Sequence, residues 1–186
     1  MSPPTALLVI DMQVYFEPMT RTALPNIQKL ISAFKSTSST IIFTPNTATL
    51  TKNSFANPSP NQIVRKWGPE NSIASGSDEW RIQKSMPTST STAIIVAKNT
   101  YDAFINTNLT EIMESKGIER VVVCGVMANC CCDTTARSAF NRGYETWLVG
   151  DACGSTSEES HRRALEGYDY GYGPVMTTQQ VLELLD

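Results

Sequence analysis

The sequence predicts an α/β domain built on a mostly parallel sheet of about six strands with helices on both faces. Three observations lead there. Five short runs, residues 6–10, 40–43, 93–97, 120–124 and 145–149, are apolar or β-branched almost throughout. They are too continuous for strands with one wet face and read as parallel strands buried on both. Helical patterns lie between them and stop at glycines. The chain has 186 residues, enough for one domain that hides roughly 70% of its unfolded surface without staples.

Taken in order, strand 6–10 ends at Asp11, and Pro25 opens a helix over 26–35. Strand 40–43 leads into a departure from the pattern: from about 45 to 92, Ser, Thr, Asn and Pro dominate. Apolar periodicity fails there except around residues 63–67 and 80–82. So long a segment inside a compact domain is functional or interfacial, and it is expected to contribute to a pocket or a subunit contact. Strand 93–97 ends at Lys98. A helix over 106–116 closes at Gly117, strand 120–124 follows, and a tight turn at 126–129 leads to a helix over 131–142 closing at Gly143. After strand 145–149, residues 157–163 read as a surface helix start carrying a solvated His161. A short strand at 174–176 precedes a last helix, capped by Thr177 or Thr178, that runs to Leu185. There is no internal repeat.

Charge excludes several partners. Fifteen basic residues against 18 acidic give a net charge of −3, and the basic residues are scattered, so neither nucleic acid nor an anionic membrane is expected. The apolar runs fall short of the roughly 20 residues that cross a bilayer, and residues 1–5 carry no basic segment, so a cytoplasmic protein is expected. The five cysteines include Cys130, Cys131 and Cys132 in succession, which no ordinary disulfide framework uses, so all five read as thiols. Consecutive helical residues point about 100° apart, and there is one histidine, so no metal site and no cofactor are expected.

Ligands of open parallel sheets bind beyond the carboxyl ends of the strands. Asp11 and Lys98 end two strands, and Cys131 follows a third across a tight turn, so acid, base and thiol would meet along one edge. With Asn129 as N-cap, the Cys131 thiol would sit in a first helical turn. Backbone N–H groups and the Lys98 ammonium would there favour the thiolate, and Asp11 would shuttle the proton. Each residue also has a plainer reading: Asp11 as a turn cap, Lys98 as a solvated strand end, Cys131 as a packed thiol like Cys124, Cys130, Cys132 and Cys153. Asp151, on the same edge, reads as the cap of the next turn. Without a histidine partner for Cys131, His161 reading as solvated, the usual cysteine-protease dyad is not expected.

The segments 6–13, 98–104 and 123–137, with Gly143-Tyr144 and residues 151–153, resemble the isochorismatase-like hydrolases over most of the chain outside 45–92. The resemblance implies a doubly wound sheet with Asp11, Lys98 and Cys131 as the catalytic residues. It also implies a cis peptide at Val126–Met127 and an oxyanion hole from the backbone N–H groups of Met127 and Cys131. Phe16, Trp67, Tyr101 and Phe104 are then candidate pocket walls, and a homodimer or higher homo-oligomer is expected. Members that deamidate nicotinamide carry an aspartate and histidines for a metal after the second strand. This chain has Thr44-Pro45-Asn46-Thr47-Ala48-Thr49 there, so that metal, and with it nicotinamidase activity, is not expected.

Three functions compete. The first is a cysteine hydrolase acting on a small-molecule amide or related C–N bond through a Cys131 thioester, with Asp11 as general acid/base and Lys98 stabilising the thiolate. The second is vinyl ether hydrolysis of isochorismate, in which Asp11 protonates the substrate and Cys131 is dispensable. The third is a catalytically idle binding protein. A haloacid dehalogenase-type phosphatase needs a second aspartate where Gln13 stands, and no Gly-rich turn follows the first strand to bind a dinucleotide.

Overall fold

The computed structural model describes residues 2–47, 62–67, 73, 75–88 and 93–185. Six parallel strands form one sheet: β1 (Thr5–Ile10), β2 (Thr40–Thr44), β3 (Ala93–Ile95), β4 (Arg120–Val126), β5 (Glu145–Gly154) and β6 (Val175–Met176). Their order is β3-β2-β1-β4-β5-β6, so the chain winds outward from β1 in one direction and from β4 in the other. The α-helices among the described residues are α1 (Glu17–Thr20), α2 (Leu24–Ser36), α3 (Gln62–Trp67), α4 (Leu109–Ser115), α5 (Asp133–Asn141), α6 (Glu158–Gly171) and α7 (Thr178–Leu185).

The continuous apolar runs follow from burial on both faces. Ala6, Leu8 and Ile10 of β1 pack with Val121 and Val123 of β4 under α4, α5 and α6, where Leu109, Met113, Ala136, Ala139 and Tyr168 complete one core. Leu7 and Val9 point the other way, with Val122 and Cys124, against Ile27, Leu30, Ile31 and Phe34 of α2 and Val181 of α7. Alternation of successive side chains thus feeds two cores from one run.

Several boundaries differ from the sequence expectation. Asn106 has φ 59°, which a helix does not tolerate, so α4 begins only at Leu109. β5 runs on to Gly154: its pairing with β4 shifts between Val123 and Gly125, and the strand resumes as Gly125↔Cys153 and Val126↔Gly154. The thiol-bearing helix does not start at Cys131. Residues Ala128–Cys132 form a π turn, and α5 begins at Asp133. Asn129 caps nothing there; its side-chain carbonyl accepts a hydrogen bond from Ser155 Oγ at 3.0 Å. Gly117 and Gly143 do turn with positive φ after α4 and α5. Asp151 caps α7 rather than its own turn, accepting from Thr178 N and Oγ1, both at 2.8 Å. His161 is half-buried, with Nε2 3.0 Å from the Gly150 carbonyl, rather than solvated.

Half of the 45–92 excursion lies outside the described residues. Its described part packs along the start of the chain: Gln13 bridges Ile82, and Val14 and Tyr15 donate backbone bonds to Arg81 and Glu79.

Candidate active site

Sheet register brings the site together. Ile10 sits opposite Thr44 on one side and Gly125 on the other, so Asp11, the residues after β2 and the turn after β4 share one end of the sheet. Gly125 is required at this crossing: it has φ +121°, and a Cβ there would lie 2.1 Å from the Ile10 carbonyl oxygen. A parallel bridge between Asn46 and Lys98 extends the ladder beyond β3 to the lysine. The peptide Val126–Met127 is cis, and the Met127 carbonyl accepts from both Cys130 N and Cys132 N, closing the π turn that carries Cys131.

Asp11 and Lys98 form an ion pair with no side-chain exposure, Nζ donating to Oδ2 at 2.8 Å. A second ammonium proton goes to the Thr100 carbonyl at 3.1 Å. The other carboxylate oxygen, Oδ1, is buried without a hydrogen-bond partner, and the Cys131 thiol lies close enough to the carboxylate to act on its charge. Burial pushes the Asp11 carboxyl above the ordinary range, opposed by Lys98, by the thiol and by the Asn46 backbone. Burial works against the Lys98 charge, but the Asp11 carboxylate and the Cys131 sulfur together outweigh it, so the ammonium is held above its ordinary pKa.

The thiol behaves differently from the sequence expectation. Burial pushes Cys131 well above the ordinary thiol pKa, the Asp11 carboxylate pushes it further, and the Lys98 ammonium only partly offsets them. Burial and the facing carboxylate thus favour the protonated thiol over the thiolate. Asp11, itself a stronger base for being buried, is placed to take the proton as the sulfur attacks.

Cys131 opens onto a cavity of about 300 Å³ whose other walls include Phe16, Trp67, Tyr101 and Met127. Trp67 Nε1 donates to Tyr101 Oη at 2.7 Å, linking α3 to the loop after Lys98 across the mouth. Phe104 belongs elsewhere. Its ring is buried in the core, stacked 6.1 Å from Tyr144 and covered by the Arg142 guanidinium at 4.6 Å, because its backbone N–H is drawn back to Asp102 Oδ1. Sequence reasoning missed Tyr15, Met19, Asn46, Ile63, Ile73 and Thr156, which also line the cavity. Thr156 and Asn46 follow strand ends and were within reach of that rule; Ile73, alone in a polar stretch, gave no signal. A shallower groove lined by Glu114, Ile118, Arg142 and Tyr144 sits at the amino ends of the strands and holds no nucleophile.

A metal does not fit this site. Thr44, Pro45, Asn46 and Thr47 offer neither a carboxylate nor an imidazole, and no group of three His, Cys, Asp or Glu side chains that could hold an ion occurs among the described residues. No helix among the described residues is long and apolar enough to cross a membrane.

Comparison with known proteins agrees with this fold. Residues 5–180 match the isochorismatase domain family model. The chain is 34% identical over 168 residues to a protein named Nicotinamidase 3 from Arabidopsis thaliana, covering 90% of this chain and 81% of that protein. It is 30% identical over 188 residues to the protein named Isochorismatase from Bacillus subtilis, covering 97% of this chain and 56% of that one. The crystal structure of a cysteine hydrolase from Pseudomonas syringae pv. phaseolicola shares the fold with a TM-score of 0.87 at 24% identity, covering 100% of this chain and 94% of that one.

Proposed function

The chain belongs to the isochorismatase family of hydrolases, and on that premise we propose that it hydrolyses a small-molecule amide or related C–N bond through a Cys131 thioester. The observation that carries this reading is the thiol itself: Cys131 stands at the floor of the cavity, backed by the buried Asp11–Lys98 pair. In the proposed sequence, sulfur attacks the substrate carbonyl as Asp11 takes the thiol proton. The backbone N–H groups of Met127 and Cys131 hold the oxyanion. Asp11 then returns the proton to the departing nitrogen; water, deprotonated by the same carboxylate, attacks the thioester, the acid leaves, and the proton passes from Asp11 back to the Cys131 sulfur. Lys98 keeps Asp11 oriented and tempers the negative charge that builds on sulfur.

Phe16, Trp67 and Tyr101 supply apolar walls, which suits a neutral acyl group. The similarity to a protein named nicotinamidase supports a carboxamide, and no metal takes part. Vinyl ether hydrolysis of isochorismate remains the competing reaction, since a relative bears that name. A panel of neutral carboxamides, nicotinamide among them, assayed for ammonia release beside isochorismate separates the two. Turnover of at least one amide, with an acyl adduct on Cys131 found by mass mapping after rapid quench, is the expected result. Turnover of isochorismate alone would overturn the proposal, and no turnover of either would favour an idle binding protein.

A further inference from the structure

Asp11 adopts φ 48°, a left-handed conformation that a non-glycine residue holds only when its surroundings impose it. Its own backbone contact to β2 is weak, Asp11 N reaching the Thr44 carbonyl at 3.4 Å. The firm contacts come two residues later. Gln13 is fully buried and its side chain makes three hydrogen bonds. Nε2 donates to the Asn46 carbonyl at 3.0 Å and to the Trp80 carbonyl at 2.8 Å, while Oε1 accepts from Asn46 N at 2.8 Å. Its main chain is held as well, N donating to the Asp11 carbonyl at 2.7 Å and O accepting from Gln83 Nε2 at 3.1 Å.

Asn46 is also the residue that bridges Lys98. On either side of that bridge, Lys98 N donates to the Pro45 carbonyl at 3.0 Å and Thr47 N donates to the Lys98 carbonyl at 2.6 Å. One buried amide therefore joins the turn that carries the carboxylate to the strand end that carries the ammonium.

We infer that Gln13 is a positioning residue: its side chain locks the left-handed turn at Asp11 to the Asn46 backbone and, through it, to Lys98, so that carboxylate and ammonium meet the Cys131 thiol in one fixed geometry. The inference rests on the proposed roles of those three residues. Gln13 touches no substrate and does not line the cavity; it acts through Asp11. An amide is needed because the site asks for donors and an acceptor on one side chain, which neither a carboxylate nor an apolar group supplies.

The test is a double-mutant cycle on Gln13→Met and Asp11→Asn, read in two ways. In turnover of a carboxamide substrate, Gln13→Met lowers kcat on the order of 100-fold with little change in KM, the cost of a displacement of about 1 Å at the reacting groups. The second reading needs no turnover: the pH midpoint at which iodoacetamide alkylates Cys131, followed by mass mapping. The groups facing this thiol are Asp11, Lys98, Tyr101 and the neighbouring Cys130 and Cys132. Because the Asp11 carboxylate holds the thiol pKa up, Asp11→Asn lowers the midpoint. Gln13→Met lowers it in the wild-type background and moves it no further in the Asp11→Asn background. An unchanged midpoint, or an equal shift in both backgrounds, overturns the inference. If circular dichroism shows Gln13→Met unfolded, the same cycle on Gln13→Glu, which keeps the acceptor for Asn46 N, decides. Should every carboxamide fail as substrate, the proposed function falls while the alkylation cycle still decides the role of Gln13.

Discussion

Lys98→Met tests the electrostatics of the site directly. The lysine and Asp11 are both without side-chain exposure and 2.8 Å apart, so the substitution leaves a carboxylate in the interior with no counter-ion. Breaking such a pair by removing one member costs about 3–5 kcal/mol. At roughly 2–4 °C per kcal/mol for a chain of this size, Tm at neutral pH falls by about 6–20 °C. The loss depends on pH in a definite sense. Burial already raises the Asp11 carboxyl, and without Lys98 its folded-state pKa climbs further from the ordinary 3.8. A carboxyl raised in this way binds its proton more tightly when folded. Its contribution to stability is whole below the unfolded value and is lost as pH rises through the raised folded value. The deficit of Lys98→Met against wild type is therefore smallest near pH 4 and opens as pH rises from there. Adding Asp11→Asn removes the orphaned charge, so the double variant is more stable at neutral pH than Lys98→Met alone. Thermal unfolding followed by circular dichroism across pH 4–9 measures all of this. A Lys98→Met protein that melts with the wild type at neutral pH, or whose deficit shrinks as pH rises, would refute the reasoning.

Other outcomes follow from the same geometry. Cys131→Ala removes the nucleophile and lowers amide hydrolysis by several orders of magnitude, whereas Asp11→Asn loses about 10²–10⁴-fold; steady-state rates check both, and Cys131→Ala retaining most of its activity would instead fit the vinyl ether reaction. Incubation with a chelator leaves activity unchanged, since residues 44–47 supply no ligand; loss of activity restored by zinc would contradict this. Gly125→Ala places a Cβ 2.1 Å from the Ile10 carbonyl oxygen at φ +121°, so it lowers Tm well beyond an ordinary surface substitution, as differential scanning fluorimetry would show. We further propose a homodimer, which light scattering at micromolar concentration tests against a monomer mass.

Much of the fold was legible because burial on both faces leaves a local trace. Val121 and Val123 serve one core and Val122 and Cys124 the other, so β4 had to be apolar from Val121 to Cys124, whichever neighbours it met. The positions of Asp11 and Lys98 were legible for a related reason: a charged residue directly after such a run falls at the carboxyl end of its strand, the edge where ligands of such sheets bind. The order of three motifs along the chain then carried the family.

What a position touches, by contrast, has no local trace. Phe104 reads as readily as pocket wall as core, and only the packing of Tyr144 and Arg142 around its ring assigns it to the core. Ile63 and Trp67 reach the cavity from one face of α3, but Ile73 and Thr156 come from separate segments, and no periodicity links those to it. The sign of the thiol shift was misjudged from helix position and a nearby lysine, both of which favour the thiolate. Burial and the facing Asp11 carboxylate reverse it. The sequence by itself determined the strands, their polar ends and hence the residues available for chemistry, because these depend on local pattern. The tertiary structure alone decided the cavity wall, the hydrogen bonds around Gln13 and the direction in which burial and Asp11 push the Cys131 thiol, because those depend on dielectric surroundings and on distances between residues far apart in the chain.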